Sequence, residues 1–151
     1  DYLSLCWQQN SGICRELSVK PDATHGAVCR MKEELLSLRQ HANALEEESF
    51  AALAAQYENA GSVLLFRPAM ESDALRRLCD TVAARCGGRC AVFAGSGESY
   101  RYTVIQPGAD IRQLIRDMNT ALNGRGGGRD GMAQGSVQCG EAAIRKFWGE
   151  V

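Results

Sequence analysis

The chain has 151 residues, long enough for one domain with a hydrophobic core, and its 45% hydrophobic and 23% charged residues are typical of a globular protein. No apolar run approaches the roughly 20 residues that a membrane-spanning helix needs. The net charge is only −1, but residues 85–151 carry 9 basic and 6 acidic side chains, which is weak support for a polyanionic partner of that half and fits ordinary scatter of charge equally well.

Two helices are predicted in the first 60 residues. Asn10 can cap a short helix that ends near Leu17, and residues 18–22 are typical of a turn. A long helix then continues to about Asn59, because its apolar residues recur at alternating spacings of three and four, as in a heptad repeat. The residues of this apolar stripe are Val28, Met31, Leu35, Leu38, Ala42 and Leu45.

The apolar stripe of the long helix needs a partner, because contiguous apolar patches of that size are rare on the surface of monomers. At ~1.5 Å per residue the helix is roughly 50 Å long, and the short helix before it can cover only a part. We therefore expect either a neighbouring chain, which would give a homodimer through a coiled-coil arm, or further residues upstream of Asp1 to cover the stripe.

The hydrophobic period changes after Gly61. Four apolar stretches are predicted strands and three amphipathic stretches are predicted helices: strands 62–66, 90–94, 100–105 and 134–138, and helices 71–86, 111–122 and 141–148. The resulting order, β-α-β-β-α-β-α, predicts an α+β fold with a small mixed sheet and helices packed on it. We therefore divide the chain into a helical arm over residues 1–60 and a globular domain over residues 61–151.

The stretch Leu122–Val137, LNGRGGGRDGMAQGSV, contains six of the 16 glycines and two arginines. Glycine weakens both helices and strands, so we predict a loop in which the backbone bends sharply or approaches a ligand closely. Arg125 and Arg129 favour an anion as that ligand. The run is neither a Walker loop, which ends in Gly-Lys-Ser/Thr, nor a dinucleotide fingerprint, in which a helix begins inside the run.

No self-contained active site is evident in these residues. The two histidines, His25 and His41, lie in the predicted arm, which disfavours a nucleophilic triad. Cys86 and Cys90 have no second Cys or His pair near them, so a four-ligand zinc site is not predicted. The seven cysteines are expected to be reduced, mostly buried thiols of a cytoplasmic protein. No signal peptide is visible. The chain also lacks an initiator Met, so we expect a piece of a longer protein.

The segment Asn123–Gly135 resembles the glycine-rich signature of the DHH-associated domain. Its Gly-Gly-Arg, followed by Met-Ala-Gln-Gly, is similar to the form found at the C-terminus of alanyl-tRNA synthetase and of the free-standing alanyl-tRNA editing proteins (AlaX type). The β-α-β-β-α order before it also fits, as does the long helix, which in that family joins the editing domain to the C-terminal domain. A His often closes the motif in the phosphoesterase branch, and Arg129 in its place favours the tRNA-associated branch.

The resemblance implies a nucleic-acid-binding accessory domain that positions an alanine-specific tRNA for an editing hydrolase. The family's zinc motifs, His-x-x-x-His and Cys-x-x-x-His, are missing, so zinc and catalysis are expected upstream of Asp1, and this chain is expected to have no catalytic residue, metal or cofactor of its own. Glycine N–H groups and arginine side chains could bind phosphate or base edges there. The residues implied in binding are Arg125, Gly126, Gly127, Gly128, Arg129, Met132 and Gln134.

Two other functions remain open at this point. The chain could be a structural or oligomerisation module, in which the heptad helix pairs two subunits and the glycine run only lets the last strand insert into the sheet. It could also be the substrate-binding half of a DHH-type phosphoesterase, whose metal-binding aspartates would lie in a separate domain.

Overall fold

A computed structural model describes residues 1–149 of the chain and divides them into two compact units, residues 1–46 and the residues from 47 onward. The elements in chain order are α1 (Tyr2–Leu17), a 3₁₀ helix (Pro21–Ala23), α2 (Thr24–Ala55), β1 (Gly61–Arg67), α3 (Ser72–Cys86), β2 (Gly87–Ser96), β3 (Ser99–Ile105), α4 (Arg112–Ala121), β4 (Gly124–Arg129), β5 (Met132–Val137) and α5 (Glu141–Trp148).

The first unit consists of α1 and most of α2. Helix α1 begins at Tyr2 because the Asp1 carboxylate accepts a hydrogen bond from the Ser4 backbone N–H at 2.8 Å. The prediction that Asn10 caps this helix is therefore wrong, and α1 has 16 residues. Thr24 fixes the start of α2, since its hydroxyl donates to the Pro21 carbonyl at 2.9 Å and lies 3.4 Å from the Cys14 thiol at the end of α1.

The apolar stripe of α2 is largely open to solvent. Its larger side chains are 48–67% exposed. Helix α1 faces the stripe across an open groove, to which it contributes Ile13 and Leu17 and α2 contributes Val28, Met31 and Leu35. The short helix thus leaves most of the stripe uncovered within the first unit.

The second unit is built on a five-stranded mixed sheet with strand order β1-β2-β3-β5-β4. Strands β1 and β2 are parallel, and the other neighbours are antiparallel. The predicted α+β class is confirmed, but the sheet has one more strand than predicted. The glycine run was expected to be a loop, and that prediction is wrong over Gly124–Arg129, which pairs with β5. Glycine has a low strand propensity, so this strand exists because of its neighbour in the sheet.

Helices cover both faces of the sheet and form a separate hydrophobic core on each. On one face, which we call the α3 face, α3 and the last turns of α2 pack against β1 and β2, so that Phe50 and Ala54 of α2 belong to this core. On the opposite face, the α4 face, α4 and α5 pack against Phe93, Tyr102 and Val104. Helix α3 packs on β1, β2 and β3, and this arrangement decides which strands stay accessible on its face.

All seven cysteines are free thiols, four of them buried. The Cys79 thiol donates to the carbonyls of Cys90 and Thr103, both at 3.4 Å, across the α3 face. Within residues 1–149, no helix is both long enough and apolar enough to cross a bilayer.

Candidate functional site

Packing accounts for most of the glycines in β4 and β5. A Cβ on Gly124 would stand 2.6 Å from Oδ1 of Asn119, and one on Gly126 would stand 2.5 Å from the hydroxyl of Tyr102. A Cβ on Gly128 or Gly135 would overlap the backbone of the facing strand. Gly126 also has a φ of +151°, which L side chains rarely adopt. These four positions therefore need glycine for the fold itself.

A short hydrogen-bond network explains why β4 lies so close to α4. The Tyr102 hydroxyl donates to Asn119 Oδ1 at 3.1 Å, and Asn119 Nδ2 donates to the Gly126 carbonyl at 3.2 Å. Burial raises the pKa of the Tyr102 phenol above its ordinary value, so the hydroxyl keeps the proton that it donates. The network ties the glycine strand to the helix that follows β3 in the chain.

Gly127 is the exception among these glycines. A Cβ at this position would meet no atom of the described residues within 4 Å, and the φ of Gly127 is an ordinary one. Folding does not explain glycine here, whereas close approach of a ligand would. Gly127 shares a row with Gln134 of β5 and Thr103 of β3, on the part of the α3 face beyond the helix.

Strand register brings two arginines together on this part of the α3 face. Arg101 of β3 and Arg125 of β4 are both paired with Ser136 of β5, so the three residues form one row across three strands. Neighbouring strands lie about 4.8 Å apart, which places the two arginine Cα atoms about 10 Å from each other. We call the surface formed by this row and the next row the polar face; its residues are Arg101, Thr103, Arg125, Gly127, Gln134 and Ser136.

The N-terminus of α3 lies beside the polar face. Nη1 of Arg101 donates to the hydroxyl of Ser72, the first residue of α3, at 3.3 Å. Gln134 Nε2 donates to the hydroxyl of the buried Thr103 at 3.3 Å, which holds the next row in place. The unpaired N–H groups of a helix N-terminus carry a partial positive charge, so this helix end adds to the positive potential of the arginines.

Two adjoining clefts of about 400 and 500 Å³ open onto this surface and share Arg101. Their described lining includes two guanidinium groups, those of Arg101 and Arg125, and one carboxylate, that of Glu71. Arg125 forms no ion pair with any residue in the part of the chain that the structure describes. The clefts therefore suit an anionic ligand with both a charged and a polar part.

Of the seven residues that the sequence implied in binding, three lie on the polar face: Arg125, Gly127 and Gln134. Arg101 was missed, although it belongs to the same surface. Polar and apolar residues alternate along its strand, β3, in the sequence. Nothing local indicates, however, that β5 would lie between β3 and β4 and bring Arg101 into one row with Arg125.

The other four predicted residues lie elsewhere. Gly126 and Gly128 line a cleft beside α4, to which Gly127 also contributes. Met132 packs against the core of the α3 face. Arg129 lies at the turn between β4 and β5, where its side chain is 90% exposed and its Nε is 3.9 Å from Oδ2 of Asp130. Its positive charge is thus partly balanced.

The remaining sequence candidates for chemistry are exposed on α2. Nε2 of His25 lies 3.7 Å from the Cys29 thiol, and Nδ1 of His41 lies 3.3 Å from the Ser37 carbonyl oxygen. Among residues 1–149, no three His, Cys, Asp or Glu side chains are close enough to hold a metal ion together.

Comparison with known proteins relates the chain to one family. The DHHA1 domain family matches residues 53–148. Alanine–tRNA ligase from Archaeoglobus fulgidus is 32% identical over 68 residues, which cover 45% of this chain and 8% of the ligase. The chain therefore spans a small part of that relative.

Solved structures resemble the chain at lower identity. RecJ from Thermus thermophilus in complex with Mg²⁺ superposes with a TM-score of 0.58 at 18% identity, over 86% of this chain and 20% of RecJ. Exonuclease RecJ bound to manganese gives 0.61 at 17% identity, over 82% and 31%. The C-Ala domain of Aquifex aeolicus alanyl-tRNA synthetase gives 0.49 at 20% identity, over 57% and 86%. The RecJ likeness establishes a shared fold.

Proposed function

Because the chain belongs to the DHHA1 domain family, as its glycine-rich segment predicted, we propose that it is the tRNA-binding accessory domain of an alanyl-tRNA synthetase-like or alanyl-tRNA editing protein. The ligase relative supports the link to tRNA for alanine. The observation that carries the proposal is the row in which Arg101 and Arg125 flank Ser136 on the polar face. In this proposal, the editing reaction and its zinc belong to residues outside this chain.

The polar face suits an RNA backbone for physical reasons. Guanidinium groups bind phosphate with two parallel hydrogen bonds, and the Ser136 hydroxyl between them can donate a third. Gly127 has no side chain to keep a sugar or phosphate away from the sheet. A surface that offers charge and backbone groups recognises RNA mainly by its shape and its phosphates, as most proteins that bind structured RNA do. The carboxylate of Glu71 beside Arg101 limits how far an anion can extend toward α3.

We propose further that the arm, residues 1–60, pairs with the arm of a second copy. The exposed residues of its apolar stripe keep the three-and-four spacing of helices that pack as coiled coils, and the groove between α1 and α2 continues the apolar surface. An oligomerisation role and a tRNA-binding role are compatible, because the stripe and the polar face are formed by different residues.

Salt dependence of RNA binding tests the polar face. We compare the wild-type chain with the double variant Arg101→Ala/Arg125→Ala, and measure affinity for an alanine tRNA transcript between about 50 and 200 mM salt. Each lost phosphate contact should reduce the slope of log K against log salt by about 0.7–0.9. Over this fourfold range the two lost contacts should remove about one log unit of salt dependence, and affinity at low salt should fall.

The matched control is Arg30→Ala/Arg85→Ala, which removes the same net charge from exposed residues that are not part of the polar face. It should leave the slope within about half a unit of wild type, because no phosphate contact is lost. If the two double variants change slope and affinity equally, RNA is attracted by net charge alone and the polar face is not its binding surface.

A further inference from the structure

Strand β4 is an edge of the sheet, and within residues 1–149 it has a partner strand on only one side. The Gln138 N–H donates to the Asn123 carbonyl at 3.3 Å, which marks this pair as a hydrogen-bonded one in the antiparallel ladder. Hydrogen-bonded and non-hydrogen-bonded pairs alternate along such a ladder. The backbone groups of Arg125, Gly127 and Arg129 therefore point toward β5, and those of the three even-numbered glycines, 124, 126 and 128, point toward the open edge.

This open edge is available to another strand. The Gly126 carbonyl already accepts a hydrogen bond from the Asn119 side-chain amide. The N–H groups of Gly126 and Gly128, by contrast, have no acceptor within residues 1–149. Natural proteins usually protect such an edge with large or charged side chains that point into it. Here three consecutive glycines leave the edge without side chains on either face, so an extended chain can approach to hydrogen-bonding distance.

A cleft beside the same edge has the size of one side chain. It lies between α4 and β4, has a volume of about 150 Å³, and is floored by the buried Ile111, Ile115 and Ala133. Sites for drug-sized ligands start at about 300 Å³, so a nucleotide does not fit, whereas one aliphatic side chain does. Alternate side chains of a strand added to β4 would point to this side of the sheet.

Two guanidinium groups that form no ion pair within residues 1–149 lie on either side of the edge. The Arg116 guanidinium, on the rim of the cleft, donates to Gln113 Oε1 at 2.7 Å, and Arg125 projects on the opposite face of the sheet. A strand with acidic side chains would place carboxylates near both. A second copy of β4 is disfavoured, since it would bring its own arginines against them.

We propose that the open edge of β4 binds an extended acidic segment of another protein as a sixth strand. Its backbone would hydrogen bond to Gly126 and Gly128, one aliphatic side chain would fill the cleft beside α4, and its carboxylates would meet Arg116 and Arg125. Strand addition of this kind takes affinity from the main chain and specificity from pockets for alternate side chains. The cleft and the edge groups of Gly126 and Gly128 lie apart from the arginine row of the polar face, and Gly127 borders both surfaces.

Amide hydrogen exchange of the 151-residue chain tests the proposal, with the capped peptide Glu-Val-Glu-Glu-Glu as the probe, in which the second residue can fill the cleft, the fourth can meet Arg116, and the odd-numbered residues face the side of Arg125. At saturating peptide, exchange of the Gly126 and Gly128 amides should slow at least tenfold, and exchange of the Gly127 amide should not change, because it already bonds to β5. Two N-methylated peptides serve as controls, one methylated on its second and fourth residues and one on its third and fifth. Only one of them should lose binding, since only alternate amides of an added strand face β4.

A charge reversal provides a second readout. Arg116→Glu should weaken peptide binding about threefold to tenfold, and the control Arg85→Glu should leave it unchanged. The proposal fails if the peptide leaves the Gly126 and Gly128 amides unprotected, or if both N-methylated peptides bind equally well. It also fails if a single-stranded RNA oligonucleotide slows those two amides and the peptide does not, in which case the edge belongs to the RNA-binding surface.

Discussion

Gly126 and Gly127 are neighbours in β4, and the structure predicts opposite responses to the same substitution. Gly126→Ala adds a methyl group against the Gln134 carbonyl and the Tyr102 hydroxyl, at a φ of +151°. Gly127→Ala adds one where no atom lies within 4 Å, at an ordinary φ.

The expected magnitudes follow from the two environments. At Gly126 the strained backbone costs about 1–3 kcal/mol and the overlap about another 1–3 kcal/mol. At Gly127 alanine reduces the entropy of the unfolded chain and should stabilise the protein by about 0.4–1 kcal/mol. For a unit of about 100 residues, 1 kcal/mol shifts Tm by about 4–8 °C. Gly126→Ala should therefore lower Tm by about 8 °C or more, and Gly127→Ala should raise it by a few degrees.

Thermal and urea unfolding of both variants, followed by circular dichroism, measure the difference. RNA binding separates packing from function at Gly127, where Gly127→Val should fold normally but bind tRNA more weakly, because its side chain would stand on the polar face. If Gly127→Ala destabilises the chain as much as Gly126→Ala, the space above Gly127 is not open and the assignment of the two glycines is wrong. If Gly127→Val folds and binds tRNA as the wild type does, this glycine has no part in binding.

Three further outcomes are expected. Leu35→Asp/Leu38→Asp in the exposed stripe should lower the mass of the chain in sedimentation equilibrium from dimer to monomer, and an unchanged mass would show that the stripe is not an interface. In the native protein, a thiol reagent at about pH 8 should label the exposed Cys6 and Cys29 quickly and the half-buried Cys139 slowly. Cys139 should react slowly because burial and the Glu98 carboxylate raise the pKa of its thiol. Rapid labelling of more than two thiols would contradict the described packing. The Arg112 guanidinium, helped by the Arg112 backbone N–H, lowers the pKa of Asp110 to about 2, so the contribution of the Asp110 carboxylate to stability is present above the ordinary pKa of 3.8 and is lost as pH falls through about 2. In Arg112→Gln, NMR titration should find the pKa of Asp110 raised toward its ordinary value, but not fully, because the backbone N–H remains.

The sequence by itself determined the elements whose pattern is local. Helix α5 spans the predicted residues 141–148, and α3 and β3 differ from prediction by one residue. These predictions succeed because the apolar period lies within each segment and the glycines that mark its ends are close to it in the sequence. The family could also be recognised, since thirteen consecutive residues contain its glycine-rich signature. The exposed stripe of α2 follows in the same way from the spacing of its own residues.

Only the tertiary structure decided that the glycine run is a strand and which of its residues share a surface. A strand of glycines has no hydrophobic period, so its pairing with β5 is not visible in the sequence. Arg101 and Arg125 lie 24 positions apart and meet because both pair with Ser136. The same register turns Gly126 toward Tyr102 and leaves Gly127 open. Strand pairing is a contact between distant parts of the chain, and shifting it by one residue would exchange the two faces, so the composition of the run cannot tell which glycines serve packing and which are free to serve binding.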